Sequence, residues 1–77
     1  MNAIRRKKLS KINELLTDAY TMLEEVKDEE NECFENIPEN LQGSERYDKA
    51  EEIVGYLEDA YDNLDEVIRS IDEAIEA

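Results

Sequence analysis

An all-α fold, built as two long helices turned back on each other in an antiparallel hairpin, is what this sequence predicts, and three observations carry it. Apolar residues recur alternately three and four positions apart through both halves of the 77 residues. The only proline, Pro38, and one of the two glycines, Gly43, stand together between those halves. A basic cluster at the start of the first half is matched by an acidic end to the second.

The first helix is expected over about residues 3–36. From Leu9 the beat runs through Ile12, Leu16, Ala19, Leu23, Val26, Glu30, Cys33 and Ile37, and only Glu30 breaks it. Leu15 and Met22 lie beside it and widen the apolar stripe to about three positions in seven, the width of a bundle helix rather than of a two-stranded seam. Ile37 precedes Pro38 and is pushed away from helical geometry, so the helix ends near Asn36.

The connection covers 37–44. Ser44 is the expected N-cap of the second helix, and Glu45 in the first turn complements the helix dipole.

The second helix, over about 45–76, is more regular. Ala50, Ile53, Leu57, Ala60, Leu64, Val67, Ile71 and Ala74 hold the beat, and Tyr47, Val54, Tyr61, Ile68 and Ile75 flank it every seven residues. Helices of roughly 30 residues span about 45 Å each, and so short a connection favours antiparallel neighbours. That direction brings Arg5, Arg6, Lys7, Lys8 and Lys11, which oppose the dipole of their own helix, beside Asp65, Glu66, Asp72, Glu73 and Glu76. A nucleic-acid-binding arm is the sharper reading of RRKKLSK, but the net charge of −13 opposes it.

A single domain of this size buries only about 60% of its unfolded surface and commonly needs a further source of stability. With no histidine and one cysteine, neither a zinc site nor an internal disulfide can supply it in a monomer. Self-association is the expected staple, two hairpins pairing into a four-helix bundle through Tyr47, Val54, Tyr61, Ile68 and Ile75. The acidity also argues against binding to nucleic acids or anionic membranes. There is no apolar run of membrane-spanning length and no apolar core of a signal peptide at the start, so a soluble cytoplasmic protein is expected.

Catalysis has little to rest on. There is no histidine and no glycine-rich phosphate loop, and the paired acids are neighbours on an exposed face, so no catalytic residue, cofactor or metal is expected. Adjacent acids on a straight helix diverge rather than form a calcium cage. Cys33 lies on the stripe near the end of the first helix and is expected in the core beneath the connection; a reactive thiol would need a positive group, and its neighbours are Glu30, Glu32 and Glu35.

Two candidate sites remain. The acidic pairs Glu51-Glu52, Glu58-Asp59, Asp65-Glu66 and Asp72-Glu73 return every seven residues. They form either a partner-binding face that imitates a polyanion or merely the solvated complement of the apolar stripe. A dimer would carry −26 over about 45 Å and approach the one charge per about 1.7 Å of duplex DNA. Ser44, Arg46 and Tyr47 stand at a helix N-terminus, where they either hold a small anion or respectively cap, pair with acids and pack.

The run PENLQGSERY, residues 38–47, with the MNAIRRKKL start and the closing IDEAIEA, resembles a family of small acidic helical proteins carried by phages, prophages and mobile elements of Firmicutes. The resemblance spans nearly the whole chain and carries over no functional residue. It implies a setting in which small proteins inhibit host machinery or host defence by binding. The expected function is therefore a non-enzymatic phage-type inhibitor of a host or defence protein. The alternatives are an anti-CRISPR-like nucleic-acid mimic and an oligomeric sponge for a small anionic signal such as a cyclic nucleotide.

Overall fold

The computed structural model describes all 77 residues as two helices and a short connection. Helix α1 spans Ala3–Glu35, a single 3-10 turn covers Glu39–Leu41, and helix α2 spans Glu45–Glu76. The helices pack along their lengths as a rod of 59 × 15 × 13 Å.

The ends lie where local chemistry puts them. Asn2 caps α1, its side-chain oxygen accepting from the Arg5 backbone N–H at 2.8 Å. That cap satisfies an orphan donor in a first turn otherwise crowded with basic side chains. Asn36 closes α1 with its N–H on the Glu32 carbonyl, one residue before Ile37 is constrained by Pro38. Ser44 caps α2, accepting from the Tyr47 N–H at 3.2 Å, and Glu45 and Asp48 stand in the first turn on the favourable side of the dipole.

Cross-helix contacts fix the antiparallel register. Asn13 meets Ile68, Tyr20 stacks on Tyr61 and Phe34 packs on Tyr47, so each step up α1 is matched by an equal step down α2. At the open end the Arg6 guanidinium donates to the Ala77 carbonyl at 3.1 Å. The basic cluster does lie beside the end of α2, but none of its members forms an ion pair there; Lys11 pairs instead with Glu14 on its own helix at 3.6 Å.

The seam keeps every second member of the stripe that the sequence suggests, Leu9, Leu16 and Leu23 on α1 and Ala50, Leu57, Leu64 and Ile71 on α2, and replaces most of the others. On α1 the partly covered positions are Leu9, Leu16, Tyr20, Leu23, Lys27, Asn31 and Phe34, with Asn13 buried; Ile12, Ala19, Val26 and Cys33 are exposed. On α2 they are Tyr47, Ala50, Leu57, Tyr61, Leu64, Asp65, Ile68, Ile71, Ala74 and Ile75, with Val54 buried. The flanking series of α2 thus turns inward, because its tyrosines, valine and isoleucines bury more apolar surface than the exposed Ile53, Ala60 and Val67 would. Val54, at 7% exposure, is the only buried apolar residue of the chain.

Candidate binding faces

A helix turns about 100° per residue, so the row before the seam on each helix looks to one side of the hairpin and the row after it to the other. In an antiparallel pair the rows preceding the seam on both helices share one broad face. On this face stand Ile12, Leu15, Ala19, Met22 and Val26 of α1 and Ile53, Tyr56, Ala60 and Val67 of α2. Seven of the ten large apolar side chains left exposed are there; the others are Met1 and Ile4 near the N-terminus and Leu41 in the connection. Met22, at 66% exposure, and Leu15, at 57%, keep more than half of their surface in water.

The opposite broad face is acidic. Glu51, Glu58, Asp65 and Asp72 follow the seam on α2, and Glu24, Asp28 and Glu35 join them from α1. The other members of the four pairs, Glu52, Asp59, Glu66 and Glu73, point from the outer edge of α2, away from α1. The eight acids of the ladder therefore divide into two rows about 100° apart rather than a single strip. Few are neutralised: Arg69 pairs with Asp65 at 3.1 Å, and Asp72 accepts from Asn13 at 2.7 Å. No three potential metal-ligating side chains converge, and the surface has no concave pocket.

Polar contacts tie the acidic face to the seam. The Tyr61 hydroxyl donates to Glu24 across the helices while its ring stacks on Tyr20, with centroids 4.3 Å apart and planes 18° from parallel. The Lys27 ammonium sits 4.9 Å from the Tyr61 centroid, a cation over a ring, and also pairs with Asp28 at 3.3 Å. The hydrogen bond to Glu24 raises the Tyr61 phenol pKa, and the adjacent Tyr20 acts in the same direction. Tyr56 is raised too, chiefly by its hydrogen bond to Glu52 one turn back.

Asn13 and Lys27 escape a reading of apolar spacing because both are polar residues in seam positions. Asn13 is 8% exposed and its amide donates to the Ile68 carbonyl at 3.1 Å and to Asp72, while its own carbonyl oxygen has no partner. A buried asparagine in a helical seam sets register at a cost in stability. The signal was present, since Asn13, Tyr20, Lys27 and Phe34 recur every seven residues, but only the tertiary contacts give it meaning.

The other sequence-proposed residues are placed as follows. Tyr47, Val54, Tyr61, Ile68 and Ile75, expected between hairpins, lie in the seam within one hairpin: Tyr47 packs on Phe34 with centroids 4.9 Å apart. Cys33 is exposed, not in the core, because its neighbour Phe34 takes the inward position. Ser44 has its hydroxyl engaged with the Leu41 carbonyl and the Tyr47 N–H, Tyr47 is occupied by Phe34, and Arg46 is exposed without an ion pair. The three do not form an anion cradle. No helix is long and apolar enough to cross a membrane. No family model, no curated protein and no solved structure matches this chain.

Proposed function

We propose that the chain is a non-enzymatic binding protein of the phage-accessory type, acting in a bacterial cytoplasm, that inhibits a host or defence protein by laying the acidic side of its hairpin against a basic surface. The observation that carries this reading is the segregation of charge from apolar surface across a rod with no concave pocket. Such a surface acts by covering another one, and its rows of carboxylates select a partner rich in lysine and arginine.

A second reading, the nucleic-acid mimic, is favoured by how the charge is spread along the rod. Residues 1–18 and 64–77, the open end, carry six basic and seven acidic side chains, a net of −1. Residues 19–63, the end with the connection, carry three basic and fifteen acidic, a net of −12. Over roughly half of the 59 Å length that is about one net charge per 2.5 Å, against one per about 1.7 Å for duplex DNA. A single hairpin therefore comes within a factor of about 1.5 of a duplex at one end, which makes that end the part to seat in a nucleic-acid channel.

The test is affinity capture from a bacterial host, followed by binding of the captured protein to Glu51→Gln, Glu58→Gln, Asp59→Asn and Asp65→Asn combined. Loss of binding, with salt weakening the wild-type contact, is the expected result. Binding that survives both the four substitutions and high salt would sink the acidic-face reading. Competition between the chain and duplex DNA for the captured protein separates mimicry from inhibition elsewhere on the partner.

A further inference from the structure

The first helix places two polar residues among the apolar ones of its seam and leaves four large apolar side chains in water. Asn13 and Lys27 face α2, while Ile12, Leu15, Met22 and Val26 are exposed. Within a lone hairpin that placement leaves Ile12, Leu15, Met22 and Val26 wet. Their exposure is relieved when something covers the broad face that these side chains share with Ile53 and Val67 of α2.

We infer that the occupant is a second copy of this chain, docked face to face with its long axis reversed, so that the open end of one hairpin covers the connection end of the other. Three observations select it. The broad face, 59 Å by 15 Å between Cα atoms, offers roughly 900 Å², next to the ~800 Å² that each partner contributes to a stable interface. Ala19 and Ala60 on this face allow helices to approach closely.

The charge distribution then sets the direction. Two copies side by side in the same direction would place one −12 end against another; reversing one puts the −12 end of each against the −1 end of its partner. Reversal also brings the basic cluster at Arg5–Lys11 of one copy near the acidic end of α1 in the other, around Glu29 and Glu30. The acidic broad faces point outward on opposite sides of the resulting four-helix bundle. This assembly uses different residues from those of the seam and does not depend on the identity of any target.

Sedimentation and paired spin labels test it. The full chain is expected to sediment at twice 9.0 kDa at micromolar concentration. A combined Leu15→Gln and Met22→Gln variant, altered only at positions exposed in the single hairpin, should keep its helical circular dichroism and dissociate at least tenfold more readily. For direction, a nitroxide on Glu39→Cys in a Cys33→Ser background marks the connection. Reversed copies separate the two labels by nearly the length of the rod, about 50 Å, whereas copies in the same direction hold them within about 25 Å. A 9.0 kDa species alone, a dimer indifferent to the double substitution, or labels within 25 Å each overturn the inference.

Discussion

Asn13→Asp should strongly destabilise the hairpin at neutral pH although it changes a single atom group. Asn13 is 8% exposed, and its amide is the donor in two cross-helix hydrogen bonds, to the Ile68 carbonyl at 3.1 Å and to the Asp72 carboxylate at 2.7 Å. The substitution replaces that donor with an acceptor. Losing the neutral bond costs about 1 kcal/mol, and losing the bond to a charged group about 1.5–3 kcal/mol, with the lower end fitting an exposed carboxylate such as Asp72. Two carboxylate oxygens about 3 Å apart then repel by about 1.4 kcal/mol even at the dielectric constant of water. The total, about 4 kcal/mol, is between a third and the whole of the roughly 4–12 kcal/mol expected for a chain of this length. At about 4–8 °C per kcal/mol, the melting temperature should fall by roughly 16–32 °C.

The pH dependence has a definite sign. A proton on the new carboxylate removes the repulsion and restores a donor, so the loss is largest above the ordinary carboxylate range and recovers as pH falls through it. Asn13→Leu is the contrasting variant. It forfeits the two hydrogen bonds but relieves the unpartnered side-chain oxygen and buries an apolar side chain, so it should be neutral or slightly stabilising. Thermal unfolding by far-ultraviolet circular dichroism at neutral and acidic pH reads all three proteins. An aspartate variant melting within a few degrees of wild type, or a leucine variant less stable than the aspartate one, would refute the assignment of Asn13 to a buried donor position.

Two further outcomes follow from the same seam. Val54→Ala truncates the one buried apolar side chain and should cost about 2 kcal/mol, a drop of roughly 8–16 °C, with Ile53→Ala, beside it but 38% exposed, costing clearly less in a dilute monomer; equal losses would mean that the seam runs through Ile53 instead. Tyr61 binds its proton more tightly when folded, its pKa lying above the ordinary 10.0 because it donates to Glu24, so this contribution to stability is complete below pH 10.0 and fades as pH rises beyond it. In a phenolate absorbance titration Tyr61→Phe should remove absorbance change from the part of the profile above pH 10.0, and a profile that merely scales down uniformly would contradict the hydrogen bond.

Much of the fold is legible in the residue order because helices are local objects. The three-four beat needs only 3.6 residues per turn, the end near Asn36 needs only the clash that Pro38 imposes on Ile37, and the start at Ser44 needs only a hydroxyl within reach of a free N–H. The acidic pairs of α2 are legible in the same way, and so is their separation into two rows, since adjacent residues stand about 100° apart.

Which apolar row faces the other helix was decided only by the tertiary structure. An apolar stripe three positions wide admits two seams, one through Ile12, Val26 and Cys33 and one through Asn13, Tyr20, Lys27 and Phe34, and spacing rates the first as the more apolar. The second wins through contacts between residues far apart in the chain: Tyr20 on Tyr61, Phe34 on Tyr47, Lys27 over the Tyr61 ring, Asn13 on Ile68 and Asp72. The sequence by itself therefore determined the two helices, their ends, their direction and their charge. The pairing of the helices, and with it which apolar surface is spent inside the hairpin and which is left facing outward, depends on cross-helix energies that a one-dimensional periodicity does not contain.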